Sequence, residues 1–516
     1  MSDRAAMPLR EGRLGCTLLF EPAMQQTGEE KRVTSETQMA ADAALPVSEP
    51  QFAAVPSAPG ATWKIRFGSA MIPMGHAAGQ NLVTVLGLRF MTDSLAISAG
   101  AAGLMFALMK IYDGITDPAV GAWSDRAQTR WGRRLPFLFA GGLAMPVGLA
   151  LLFGAPDFGS ILLAQAFVLL ALMIHATGYT LLTIPGFAML VESSTDPKER
   201  TRLMAWRTYG NAVGTLLGST LPAWILGALG PSRESHLLVA LAVGAVVFTA
   251  TVIAVWLLRE APRTTPRAAD LAKAPHPLRS LAHQVRLAWH NVPFRILAIA
   301  HVFLLFGTAI GSAGLAYFTR TFLDLPDSAL GTYFAMATGA MLVGMTPWVW
   351  LSNRIGKKES YISALAMFAA VQLSWLLAGP GESMILVSAR GILSGLAGGG
   401  MILCAYSLLS DAVRYDFITS GERREGAFAG FTTLFDKLSS AAALAAMGGF
   451  LSVMGYVSSS SGEAAVQSDS ARLAILLCES AIPAAAMLAA IVAMLFYRLD
   501  PAMLEALETG RIERDA

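Results

Sequence analysis

Charged residues are scarce: they make up 14% of the 516 positions, against about 25% in a soluble globular chain. Hydrophobic residues reach 54% and the mean hydropathy is +0.53, which excludes an ordinary soluble domain. Neither sign of charge dominates. The net charge is +2, and the bases sit in short loops rather than on one face, so no nucleic-acid partner is expected. Cysteine is nearly absent as well. Cys16, Cys404 and Cys478 have neither metal nor redox spacing, and the last two fall in apolar segments, where a small buried thiol is the ordinary role. No nucleophile elbow or phosphate-cradling glycine loop is found, so neither enzyme chemistry nor a cofactor is expected. Residues 1–60 mix Glu, Ser, Pro, Ala and Thr without the long apolar run of a signal peptide, and read as a disordered tail.

What the sequence does have is a succession of apolar runs, each long enough to cross a bilayer with about 20 residues. Roughly twelve are legible: near 66–91, 95–122, 135–155, 159–191, 203–229, 235–258, 293–323, 328–352, 360–379, 383–411, 427–456 and 471–497. The loops between them alternate in charge. Those after the even-numbered runs, together with the central linker, hold roughly nineteen bases, against about three (Arg233, Arg320, Arg472) in the others. The excess of positive charge on the inner side predicts that both termini are cytoplasmic.

A Pro-rich, basic linker at 259–290 divides the chain into an N-terminal bundle of six helices at 61–258 and a C-terminal bundle of six at 291–497, followed by a cytoplasmic tail at 498–516. An echo supports the division. Ser124-Asp125-Arg126 with Trp131-Gly132-Arg133-Arg134 follows the second run, and Ser352-Asn353-Arg354-Ile355-Gly356-Lys357-Lys358 follows the eighth. The fold class expected is therefore an all-α membrane protein with twelve transmembrane helices in two parallel six-helix repeats. It would be a multi-pass protein of the bacterial inner membrane, surrounded by lipid and monomeric.

Within the second run, Lys110, Asp113 and Asp117 fall within roughly 60° of one another on a helix. A charge at mid-bilayer costs at least about 2.5–3.5 kcal/mol, so such a stripe should line a wet cavity or an ion site. Two carboxylates one turn apart could supply oxygens to Na⁺ or share a proton, and the spacing leaves both open. Other polar residues inside the runs include His76, His175, Tyr179, Thr180, Thr183, Arg207, Asp436 and Lys437. Lys437 is too deep to reach the interface by snorkelling and is read as facing the cavity, as is Arg207. Thr183 could instead bond to its own helix.

Three motifs carry a family resemblance: Asp113-x-x-x-Asp117-Pro118-x-x-Gly121 with Asp125-Arg126, Gly132-Arg133-Arg134 and Pro136; Asp196-Pro-Lys-Glu-Arg200 leading to Arg207; and Asp411-Ala-Val-Arg-Tyr-Asp416 with Gly421-Glu-Arg423-Arg424-Glu425-Gly426 and Lys437. In these the chain resembles the glycoside–pentoside–hexuronide:cation symporters, the branch of the major facilitator superfamily that includes the melibiose carrier. The resemblance implies a cation site at Asp113, Asp117 and the Thr180 hydroxyl, with Lys110 on the same face, Arg207 near the sugar and Lys437 near both. Where the melibiose carrier holds sugar hydroxyls with acids, this chain has Ala77, beside His76, and Thr183. A galactoside is thus not the expected substrate.

The function expected is uptake of a small polar solute, a sugar, glycoside or uronide, coupled to Na⁺ or H⁺ by alternating access. The substrate residues would be Lys110, His76, Thr183, Arg207 and Lys437. A cytoplasmic gate is expected from Asp125, Arg126, Arg133, Arg134, Asp411, Asp416, Arg423, Arg424 and Glu425. The alternatives are the same fold carrying a lysophospholipid or another amphiphile, and a sensor that no longer transports.

Overall fold

A segment in lipid must satisfy its own backbone, and the long apolar runs do so as helices. The computed structural model describes residues 62–194, 196–261, 289–421, 425–460, 462 and 465–509. The tail at 1–60 and most of the linker at 259–290 lie outside the described residues. Among those described, no strand occurs.

The helices are α1 (Trp63–Leu82, prolonged through Val83–Gly87 and Leu88–Ser94), α2 (Ala99–Arg126), α3 (Leu135–Phe153), α4 (Ile161–Glu192), α5 (Pro197–Leu229) and α6 (Arg233–Leu257). Then follow α7 (Val292–Tyr317, prolonged through Phe318–Phe322), α8 (Asp327–Ile355), α9 (Lys357–Ser374), α10 (Met384–Ser420), α11 (Glu425–Val453), α12 (Asp469–Glu479, broken at Ser480 and resumed at Ala481–Leu495) and α13 (Pro501–Glu508). Side chains of Ser98, Asp196, Ser232, Asn291, Ser383 and Ser468 accept from the first free amides of their helices, the usual way a helix start is satisfied. Ten helices among the described residues, α3 to α12, are long and apolar enough to cross a membrane. Of the three that fall outside this set, α1, α2 and the short α13, α2 carries the Lys110–Asp117 stripe. The stretch 498–516, expected as a tail, contains α13, whose Leu504 and Leu507 are buried.

The packing repeats with an offset of six helices. α1 packs on α5 and α6, α4 on α2 and α3, and α3 on α6; likewise α7 packs on α11 and α12, α10 on α8 and α9, and α9 on α12. The repeat extends to irregularities. Both α1 and α7 contain a π-helical turn in their last part, at Val83–Gly87 and Phe318–Phe322. Each is followed by a non-glycine residue of positive φ, Ala96 at 53° and Asp324 at 54°. These two are separated by 228 residues (324 − 96), the same interval as Ser124 and Ser352 (352 − 124).

The two sets of six meet along α2–α11 and α5–α8. Small residues let the backbones touch there. A Cβ on Gly103 would fall 2.5 Å from the Leu444 carbonyl oxygen, and one on Gly448 would fall 2.3 Å from that of Ala99. At the partner interface, a Cβ on Gly331 would sit 2.9 Å from the Thr220 carbonyl oxygen, and one on Gly227 would sit 2.7 Å from the Ser328 amide nitrogen.

These contacts lie toward the end of the molecule opposite the Arg126–Arg134 loop, here termed the far end. A buried polar network closes it. Arg89 Nη1 of α1 pairs with Asp327 Oδ1 of α8 at 2.5 Å and donates to the Ala316 carbonyl at 3.0 Å, while Arg320 reaches Asp327 Oδ2 at 3.1 Å. The Tyr456 hydroxyl donates to Asp93 at 2.7 Å, and the hydroxyls of Thr92 and Tyr317 are 2.9 Å apart. The segment after α11 adds backbone bonds: Ser459 N to the Thr92 carbonyl and Ala96 N to the Ser459 carbonyl, both 2.8 Å. All three bases of the base-poor loops are engaged at this end: Arg320 with Asp327, Arg233 with the Ser94 carbonyl at 2.8 Å, and Arg472 with Asp324 at 3.8 Å.

Candidate ion and substrate site

The charged stripe of α2 faces α4 and α11. Asp117 is held from both sides: Thr180 of α4 donates to Oδ1 at 2.8 Å, and Lys437 of α11 donates to Oδ2 in a short contact. Asp113 is buried, with 1% of its surface exposed. Its Oδ2 lies 3.8 Å from Lys110 Nζ and 3.9 Å from Lys437 Nζ, and its Oδ1 has no hydrogen-bond partner. Two lysines thus face two carboxylates in one cluster, and the opposite charges offset what would otherwise be a prohibitive desolvation cost. Tyr112 of α2 fixes the α4 side through Thr177, with the two hydroxyls 2.9 Å apart. The cluster spans the two sets of six helices, because α2 and α4 belong to the first and α11 to the second.

The other expected substrate residues lie around α1, α4 and α5. His76 is buried, its ring edge-on to Tyr179 with centroids 5.4 Å apart, and neither ring nitrogen has a hydrogen-bond partner. Arg207 lies over the Phe187 ring at 5.1 Å and is close enough to His76 and Tyr179 to interact electrostatically. The Thr183 hydroxyl donates to the Tyr179 carbonyl of its own helix at 2.8 Å, the local bond that competes with any external use of it.

At the opposite, basic end, the ion pairs described lie within one set of six. Arg134 bridges Asp125 at 2.7 Å and Glu192 at 2.6 Å, and Arg133 joins Glu192 at 2.6 Å. In the second set, Lys357 grips both oxygens of Asp411 at 2.7 and 2.8 Å. A base from each echo motif therefore pins the fourth helix of its own set. Arg126 is exposed and Asp416 is buried. Arg423 and Arg424 lie outside the described residues, and Glu425 begins α11 without a described side chain.

Three groups were not singled out from sequence. Arg89, Asp93 and Asp327 sit at the ends of apolar runs, where charges ordinarily mark a boundary. His301, whose Nε2 is 3.1 Å from Asp436, has no sequence neighbour that reveals its partner. Glu479 gave the clearest signal, an isolated acid in mid-run, and is buried with Gln372 of α9.

Residues 68–501 match the model of a family described as MFS/sugar transport protein. The chain is 26% identical to a putative glycoside/cation symporter of Escherichia coli, YagG, over 83% of this chain and 90% of that one. It is 23% identical to the isoprimeverose transporter of Lactiplantibacillus pentosus, over 88% and 93%. Among solved structures, a bacterial homolog of the human lysosomal transporter Spinster, inward-facing and unoccupied, superposes with a TM-score of 0.62 at 16% identity, covering 87% of this chain and 98% of that one.

Proposed function

Because the chain belongs to the MFS/sugar transport protein family, and is a multi-pass plasma-membrane transporter rather than an enzyme, we propose that it is a cation-coupled symporter of a sugar, glycoside or uronide. The relatives' names, a glycoside/cation symporter and an isoprimeverose transporter, support the substrate class. Twelve spans would form two six-helix bundles, with the basic loops and both termini in the cytoplasm.

The observation that carries this reading is Asp117, shared between Thr180 and Lys437. Lys437, on Asp117 Oδ2, occupies the place a cation would take. Na⁺ bound by Asp113, Asp117 and Thr180, or a proton on one carboxylate, displaces the Lys437 ammonium from Asp117. The freed ammonium then turns to the solute, beside Arg207, with Lys110, His76 and Thr183 completing the solute-facing set. Cation and substrate binding become interdependent, because each alters what Lys437 is paired with.

The charge balance serves the return step. Lys110 and Lys437 against Asp113 and Asp117 leave no net charge in the empty cluster, so the unloaded carrier can reorient without dragging an unpaired charge through the membrane. With the far end closed, the site would be reached from the cytoplasm. Outward opening requires the Arg89–Asp327 and Asp93–Tyr456 contacts to part, while the gate residues at the basic end (Asp125, Arg126, Arg133, Arg134, Asp411, Asp416, Arg423, Arg424, Glu425) close. The test is uptake of a sugar panel into proteoliposomes under an imposed Na⁺ or H⁺ gradient, with wild type compared against Asp117→Cys. Gradient-driven uptake lost in the variant supports the reading. Uptake indifferent to both gradients and to the substitution contradicts it.

A further inference from the structure

A second polar site lies on α9 and α12 of the second set of six helices, on residues that take no part in the charged cluster. Glu479 ends the first segment of α12, ahead of the break at Ser480. It is 1% exposed, as is Gln372 of α9. No ion pair reaches Glu479 among the described residues, so nothing offsets the cost of an acid placed about halfway through a membrane helix. Gln372 donates its Nε2 to the Glu479 backbone carbonyl at 2.8 Å and lies 3.5 Å from the carboxylate Oε1. That bond fixes the amide, because the flipped orientation would set two oxygens against each other. Gln372 Oε1 and Glu479 Oε2 are both left without a partner.

Both side chains line a cavity of about 180 Å³ that is open at its mouth. Its wall is shared by the two sets of helices: Thr215 comes from α5, while Ser312, Thr338 and Ser394 come from α7, α8 and α10. Glycine on α7 leaves the room. A Cβ on Gly311 would lie 3.3 Å from Gln372 Nε2, and one on Gly314 would lie 3.4 Å from Glu479 Oε2.

Two buried acceptors without donors call for a ligand that brings two donors. We propose that Glu479 and Gln372 form the polyol end of the substrate site, each accepting from one of two neighbouring hydroxyls of the transported solute. This rests on the sugar-symporter reading and deepens it. The site would recognise the solute by its hydroxyl pattern from the second bundle, while Arg207 and Lys437 would meet its other end from the first bundle and from α11.

The experiment is counterflow in proteoliposomes with labelled xylose, isoprimeverose, melibiose and glucuronate, for wild type, Glu479→Leu, Glu479→Gln and Gln372→Leu. Affinity for a carried sugar should fall about tenfold in each leucine variant. It should fall less in Glu479→Gln, which keeps an acceptor. Monodeoxy analogues of that sugar identify the bound hydroxyls: the analogue lacking the hydroxyl that Glu479 accepts should be insensitive to Glu479→Leu, a coupling that a purely structural role would not produce. Should Glu479→Leu fail to fold, Gln372→Leu with the analogues carries the same comparison. Unchanged sugar affinity in folded variants overturns the proposal and leaves the symporter reading intact. So does loss of gradient-driven uptake in Glu479→Gln at unchanged sugar affinity, which would make Glu479 a proton site. A wild type that carries none of the four sugars overturns both.

Discussion

The two interfaces between the six-helix sets occupy equivalent places in the repeat, yet they differ in kind. At the far end they match: Gly103 of α2 touches the α11 backbone as Gly331 of α8, 228 residues later, touches that of α5. Deeper in the membrane they diverge. At the same interval from Lys110, Asp113 and Asp117, α8 carries Thr338, Met341 and Met345, and the position matching Lys437 on α5 is Tyr209. What both interfaces share is backbone contact, the requirement of two bundles that must meet and part. At these mid-membrane positions, among the described residues, α2–α11 holds charge and α5–α8 does not.

That contrast can be broken. The largest effect is expected from Asp117→Asn, which leaves Lys437 with only the more distant Asp113 carboxylate. Breaking a buried pair costs about 3–5 kcal/mol, so gradient-driven uptake should fall about a hundredfold or more. Met345→Asn at the mirrored position should change it less than about threefold. The two variants measured side by side in proteoliposomes give the comparison its sharpest form.

Next comes the far-end closure that both interfaces lean on. Arg89→Gln or Asp327→Asn removes one partner of a buried pair. A cysteine placed at Ser459 should then react more than about tenfold faster with a membrane-impermeant maleimide. The glycines follow. Gly103→Val and Gly331→Val each force two backbones apart at about 1–3 kcal/mol, and both should slow uptake about tenfold while cation affinity stays as in wild type. Unequal effects would separate the two interfaces where they are held here to be alike. The smallest effect belongs to Thr180→Val, which deletes one donor to Asp117. Cation affinity should weaken about fivefold, while Thr338→Val on α8 leaves it within about twofold.

The sequence carried the helices well, because a run of about 20 apolar residues has few alternatives in lipid. It also carried the stripe on α2, since helical spacing alone puts Lys110, Asp113 and Asp117 on one face. Lys437 was reached by depth and resemblance, and the structure places it on Asp117. Partners far apart in sequence were not legible. Nothing local ties Arg89 to Asp327 or Gln372 to Glu479, for those pairings are set by how one helix leans on another. Thr183 shows the reverse failure: its bond to the Tyr179 carbonyl is local, and residue type alone left open whether the hydroxyl faced the cavity.

At the centre of this account is one competition, between Lys437 and the coupling ion for Asp117. Its most direct measurement is equilibrium cation binding to purified wild type and Lys437→Gln, by calorimetry across Na⁺ concentration and pH. With the competitor gone, Lys437→Gln should bind the cation more tightly than wild type and yet lose gradient-driven uptake. Cation affinity unchanged or weakened in that variant would contradict the competition and the coupling built on it.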